Sequence, residues 1–187
     1  MAEFKISFSK TMAAEGGYAN APSDRGKETY RGISRAMNPQ WKGWAIVDAL
    51  RKEPGFPKNL ASHPELDELV LDFYKEMFWN PIKGDQIASQ EVADELFDTG
   101  VNMGATIPVK FAQQALNLLN RNGKLYADIA DDGIMGNGTL KMLNAFTETN
   151  VLVRTLNALQ ACRYIKICEI DHTQEENFRG WLLKRAS

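Results

Sequence analysis

The chain has 187 residues, enough for one domain or one main domain with a small appendage. Its net charge of -2 and pI near 5.8 argue against a dedicated nucleic-acid surface, because phosphate binding usually needs a basic face. No apolar run approaches the roughly 20 residues of a membrane span, so no stable membrane insertion is expected. Two cysteines, Cys162 and Cys168, fall on different faces of a helical run, and His63 and His172 lack partners at metal spacing. Neither a local disulfide, nor a metal site, nor a cofactor is expected.

The first predicted helix covers residues 2–15. Phe4, Phe8 and Met12 repeat every four residues as an apolar stripe, with Ser7 and Ser9 on the polar side. Glu15 falls back into that stripe, roughly 20° from Phe4 at about 100° per residue. Gly16 and Gly17 then end the helix. Two readings stand side by side. In one, Glu15 is a half-buried acid whose pKa is raised by burial and by the negative helix end, as suits a general acid. In the other, it is a helix-end carboxylate in water.

Residues 16–34 break any helix with Gly16, Gly17, Pro22, Gly26 and Gly32. Glu28 to Ile33 reads as a small hairpin or ordered loop, the wall of a cleft. Asp24, nine residues after Glu15, is either a second carboxylate facing it or an ordinary turn residue in Pro22-Ser23-Asp24-Arg25-Gly26. An acid on a helix end with a second acid across a cleft is the arrangement of glycoside hydrolysis.

A short helix follows at Trp44 to Lys52, punctuated on both sides by prolines. Leu66 to Phe78 is predicted helical, with Leu66, Leu69, Val70, Phe73 and Met77 inward, until Trp79-Asn80-Pro81 stops it. Ser89 caps a helix that starts near Gln90 and runs towards Gly104. Pro108 opens the next one. Residues 120–136 are turn-rich, with Asn122-Gly123 and Asp132-Gly133. Further helices are predicted from Gly138 to Phe146, from Val151 to Ile170, and over 173–185. In the long one, Val151, Leu152, Leu156, Leu159, Ile165 and Ile167 are the expected core. The chain thus reads as mostly α with minor β structure near 24–34.

The ordered motifs resemble those of the N-acetylmuramidases of glycoside hydrolase family 108. Glu15-Gly16-Gly17-Tyr18, Pro22, Asp24, Gly26, Thr29 and Gly32-Ile33-Ser34 are similar to that family's N-terminal signature. Phe78 to Ile82 with Gly84-Asp85 is similar to its central segment. Phe97-Asp98, Val101-Asn102 and Gly104 are similar to the one after it. Asp132-Gly133-Ile134, Gly136 and Thr139-Leu140, then Phe178, Gly180-Trp181 and Arg185, look like its C-terminal predicted peptidoglycan-binding region.

The resemblance implies a lysozyme-like helical fold with a small β-hairpin or loop beside the cleft. It implies a catalytic region over 1–104 and a peptidoglycan-binding-like region over 105–187, packed as one compact unit. The implied reaction is hydrolysis of the β-1,4 bond between N-acetylmuramic acid and N-acetylglucosamine in peptidoglycan glycan strands. Glu15 is the implied general acid. Asp24 and Thr29 are its companions by similarity to phage-type lysozymes, although Thr29 comes one residue early for that pattern. Lys27 replaces the second glycine of the family's pair and Tyr30 a common asparagine, which leaves the shape of that wall open.

Four more residues are candidates for substrate binding, each with a structural alternative. Tyr18 stacks on a sugar or staples the first helix. Arg31 pairs with Asp24 or Asp98 to hold an acid ionised. Asp98 and Asn102, four apart on one helix, line the cleft or cap backbone. Trp41, Trp44 and Trp79 read first as core. The N-terminus has Glu3 and Lys5 and lacks the apolar core of a signal peptide. The expectation is a phage or prophage endolysin made in the cytoplasm and released by a holin to act on the cell wall. The alternatives are a peptidoglycan-binding or secretion-accessory protein without catalysis, and a lytic transglycosylase.

Overall fold

The computed structural model describes residues 1–12, 17–20 and 28–185. Glu15, Asp24 and Lys27 lie outside these residues. In chain order come helix α1 (Phe4–Met12), strands β1 (Tyr18–Asn20), β2 (Glu28–Tyr30) and β3 (Ile33–Ser34), and helices α2 (Gly43–Leu50) and α3 (Pro64–Tyr74). They are followed by α4 (Gln90–Met103), α5 (Ile107–Leu119), α6 (Asn137–Ala145), α7 (Thr149–Ile170) and α8 (Glu175–Arg185). The fold is mostly α with a small antiparallel sheet, as the sequence predicts. The described residues divide into two compact units, one of residues 8–76 and one of residues 1–7 with 77–187.

In the 8–76 unit, the sheet has the order β1-β2-β3. Tyr18 pairs with Tyr30, Ala19 with Thr29 and Asn20 with Glu28, and Thr29 also pairs with Ser34. The β2–β3 turn consists of Arg31 and Gly32, both at positive φ (44° and 80°). Two left-handed residues make the tight turn whose twist matches that of the strands, and Gly32 suits it without strain. Arg31 adopts the same region against its side chain's preference and is held there. The Tyr74 hydroxyl donates to its carbonyl at 2.8 Å, and its guanidinium contacts Asp67 at 2.5 Å. Tyr30 is buried and stacks on Trp41, whose ring is edge-on to Trp44. Phe8 of α1 packs edge-on against Tyr74 of α3.

In the other unit, the core centres on Trp79, Leu96, Phe97, Leu116, Leu152 and Leu156, all essentially without exposure. Trp79 donates its indole N–H to Asp85 at 2.8 Å, and Gly84 lies flat against its ring, where a Cβ would collide. Trp79, Gly84 and Asp85 are therefore one packing unit, and Trp79 is core. The α3 helix does not run on as α to Phe78. After Tyr74 it widens into a π-helical turn, Lys75–Trp79. The extra residue in that turn brings Trp79, not Met77, into the interior, and Met77 is exposed.

Ser89 caps α4 as expected, its side chain accepting from the Val92 N–H. Ser89→Ala is expected to cost about 1 kcal/mol, a fall of roughly 2–4 °C in melting temperature by calorimetry. Two assignments change, one polar and one apolar. Ser7, expected on the polar side of α1, is fully buried and donates to Asp94 at 2.5 Å. In α7, Ile165 is exposed, and the buried face runs Leu152, Leu156, Gln160 and Tyr164. That face tolerates a glutamine because Gln160 donates to Thr99 of α4 at 3.0 Å, while Tyr164 stacks on Trp181 of α8. Cys162 and Cys168 are free thiols. Among the described residues, no helix is long and apolar enough to cross a membrane.

Candidate active site

The Glu15 segment is framed on both sides by placed residues of the 8–76 unit. Three residues before it, Met12 is buried on α1. Two residues after it, the Gly17 carbonyl accepts from the Arg31 N–H at 2.9 Å, which ties the start of β1 to the β2–β3 turn. Asp24 belongs to the seven-residue segment 21–27, whose flanking residues Asn20 and Glu28 are paired partners in the sheet. The two carboxylates named from sequence thus belong to segments that lead into one small sheet.

Thr29 sits at the centre of β2, half-buried, between Ala19 and Ser34. Because successive strand residues face opposite ways, it lies on the face away from the buried Tyr30. Tyr18 packs its ring edge-on against Phe56, with centroids 4.8 Å apart, and its hydroxyl donates to Glu28 at 3.1 Å. Burial, then the Glu28 contact, push that hydroxyl's pKa up. Arg31 takes Asp67 as its partner, an acid the sequence reading did not consider. Tyr18, Thr29 and Arg31 are therefore brought onto one sheet. Asp98 and Asn102, on α4 in the other unit, bond to each other: the Asn102 amide donates to the Asp98 carbonyl at 2.8 Å and to its carboxylate at 3.1 Å.

Glu28 is the residue that sequence reasoning missed here. Its side chain is only 12% exposed and meets two arginines, Arg35 at 2.6 Å and Arg51. Arg35 also grips Asp48 with both terminal nitrogens, at 3.0 and 2.7 Å, while its guanidinium lies over the Trp44 ring. This two-pronged contact holds Asp48 below the usual carboxylate range and raises Arg35 further. The result is a neutral cluster of two acids and two arginines that clamps the stem of the segment carrying Asp24. One signal was available in sequence, the Asp48–Arg51 spacing on a helix. The Glu28–Arg35 contact needs the β2–β3 register. Glu28→Gln is expected to cost about 1–2 kcal/mol, since it leaves two guanidinium groups with one acid between them. Thermal melting at low and high salt checks this, with the larger loss at low salt.

Glu95 on α4 was missed as well. It falls three residues after Val92 and four before Thr99, on the inward side, and periodicity could have found it. Burial, followed by the neighbouring Asp98 charge, raises its pKa from 4.5 to about 8, against a hydrogen bond from Thr99. With its amide turned to donate, Asn157 of α7 reaches both Glu95 oxygens, at 3.0 and 3.1 Å. Asp132 acts structurally. It accepts from the Ile134 N–H at 2.9 Å and from the buried Gln113 at 2.8 Å, so its turn is fastened to α5. Gly133, at φ 74°, has the Thr106 carbonyl and the Lys110 stem too close to admit a side chain easily.

Comparison with known proteins matches this frame. Residues 107–186 match the model of a predicted peptidoglycan domain. The structure of SagA from Brucella abortus is similar in fold, with a TM-score of 0.63 at 21% identity, over 95% of this chain and 86% of that one. No curated protein sequence matches. Residues 8–104, more than half of the sequence, match the glycosyl hydrolase 108 model, and the chain belongs to that family.

Proposed function

We propose that the protein is an N-acetylmuramidase that hydrolyses the β-1,4 bond between N-acetylmuramic acid and N-acetylglucosamine. The observation that carries this reading is the family match over residues 8–104, which contains the Glu15-Gly16-Gly17-Tyr18 signature, joined to a predicted peptidoglycan domain. In this mechanism Glu15 gives its proton to the glycosidic oxygen as the bond breaks. Asp24 either directs the attacking water or stabilises the oxocarbenium-like transition state. Thr29, on the half-buried face of the central strand, supports the water or the sugar ring. The cluster of Glu28, Arg35, Asp48 and Arg51 holds the stem of the Asp24 segment. The biological setting that suits this chemistry is lysis of a bacterial wall by a phage or prophage endolysin that reaches the wall through a holin.

Incubation with purified peptidoglycan and mass analysis of the soluble fragments tests the reading. Reducing muramic ends support hydrolysis. Anhydro-muramic ends would instead identify a transglycosylase, which uses the sugar's own hydroxyl in place of water. No release at all would leave a binding or secretion-accessory protein.

A further inference from the structure

We propose that the groove between the 120–126 loop and α6 binds the stem peptide of peptidoglycan, an inference that rests on peptidoglycan being the substrate. The groove has a volume of about 590 Å³, within the usual span of roughly 300–1,000 Å³ for ligand clefts. Its floor is apolar, formed by Leu125, Tyr126, Met142 and Phe146. Leu125 is 54% exposed, a large apolar side chain left open to solvent. Lys141 and Glu148 stand on the rim, both exposed. Among the described residues, neither side chain makes an ion pair or a hydrogen bond. The site thus offers an apolar bed and one unspent charge of each sign.

The loop that supplies Leu125 and Tyr126 is built to hold its shape. Arg121, Asn122 and Gly123 all adopt left-handed conformations. The buried Asn120 fastens them, accepting from the Gly123 N–H at 2.9 Å and donating to Asp128 at 2.5 Å. The Tyr126 hydroxyl donates to the Leu116 carbonyl at 2.8 Å, and the Leu125 N–H to the Asn120 carbonyl at 3.1 Å. A wall fixed before the ligand arrives loses little entropy on binding.

Peptidoglycan has two chemical faces. Its glycan is rich in hydroxyl and acetamido groups and calls for many hydrogen-bonding side chains. Its stem peptide carries alanine methyl groups, free carboxylates and a diamino-acid ammonium. An apolar bed flanked by a lysine and a glutamate fits the peptide: methyl groups on Leu125, Met142 and Phe146, a carboxylate at Lys141 and the ammonium at Glu148. Holding the peptide would raise the local concentration of the glycan to which it is attached.

The test is calorimetric titration of the wild-type chain with synthetic L-Ala-γ-D-Glu-X-D-Ala, where X is L-lysine in one peptide and meso-diaminopimelate in the other. Neither peptide has a glycosidic bond, so catalysis does not interfere. At least one is expected to bind. Lys141→Ala and Glu148→Ala, exposed substitutions that leave the fold intact, should each weaken it about tenfold. Gly138→Trp should abolish binding without lowering the melting temperature, because Gly138 lines the groove and has open space at its Cβ position. The proposal is overturned if neither peptide binds, if binding survives Gly138→Trp, or if peptide-free disaccharide displaces the peptide. It is also overturned if sedimentation shows a dimer that Gly138→Trp disrupts. Muramic ends released by a protein that binds no peptide would sink this proposal alone. Peptide binding without released ends would sink the muramidase reading alone.

Discussion

Glu15→Gln is expected to lower the release of reducing muramic ends by roughly 10²–10⁴-fold, the usual contribution of a positioned acid. Glutamine keeps the size and much of the hydrogen bonding of glutamate but has no proton to give the leaving oxygen. The KM should change much less than kcat, because the lost interaction belongs to the transition state. Asp24→Asn separates the two roles open to the second carboxylate. If Asp24 directs water, turnover should fall by a comparable factor, and the product should appear with inverted configuration at the anomeric carbon. Unchanged turnover in Asp24→Asn would remove it from the mechanism. Full activity in Glu15→Gln would defeat the muramidase assignment. Fragment masses and the anomeric NMR signals of early products supply both readouts.

Glu95→Gln is expected to remove most of a pH dependence of stability between about 4.5 and 8. Glu95 binds its proton more tightly in the folded chain than in the unfolded one. Over that window the folded state therefore holds the extra proton, and stability falls as pH rises. Below it the carboxyl is neutral in both states and its stabilising contribution is complete. Above it that contribution is lost in full. A shift from 4.5 to about 8 corresponds to an upper bound of about 5 kcal/mol, at ~1.4 kcal/mol per pH unit. Solvent at the half-buried carboxyl reduces the expected effect to about 2–3 kcal/mol. Asp94 and Asp98 repel the ionised form from the same helix, and Thr99 and Asn157 offset only part of that. Urea unfolding at pH 5, 7 and 9 measures the effect. The wild type should lose stability progressively while Glu95→Gln changes little, so that the variant becomes the more stable protein at pH 9. Parallel curves for the two proteins would contradict this.

What the sequence made legible was local or modular. Ser89 before Gln90 marked the start of α4 because an N-cap acts over three residues. The Asp132-Gly133 turn was visible because its left-handed glycine and side-chain bond are contained in a few positions. The mostly α class followed from periodicity. The proposal of Glu15 as general acid rests on the ordered family motifs, because helix geometry alone leaves a helix-end carboxylate with two readings. The features that escaped depend on partners distant in sequence. Ser7 looked polar and exposed because its acceptor, Asp94, is 87 residues away. Gln160 went unremarked because Thr99, which supplies its bond in the core, lies 61 residues earlier. Glu28 sat in a loop-like stretch, and only the strand register sets Arg35 beside it. Met77 was misjudged because a π turn shifts the phase of its helix.

The split of the chain into a continuous 8–76 unit and a unit joining 1–7 to 77–187 also bears on how the protein is made. Residues 1–7 leave the ribosome long before their partners exist. The Ala2 N–H must wait for the Ile87 carbonyl, Phe4 for Trp79 and Phe97, and Ser7 for Asp94. Synthesis at roughly 5–20 residues per second makes that wait several seconds. The 8–76 segment has all of its own contacts by then and is free to fold first. Residues 1–7 are thus the last stitch of the larger unit although they are translated before the rest of it. A bulky fusion at Met1 should slow that closing step more than one at the C-terminus.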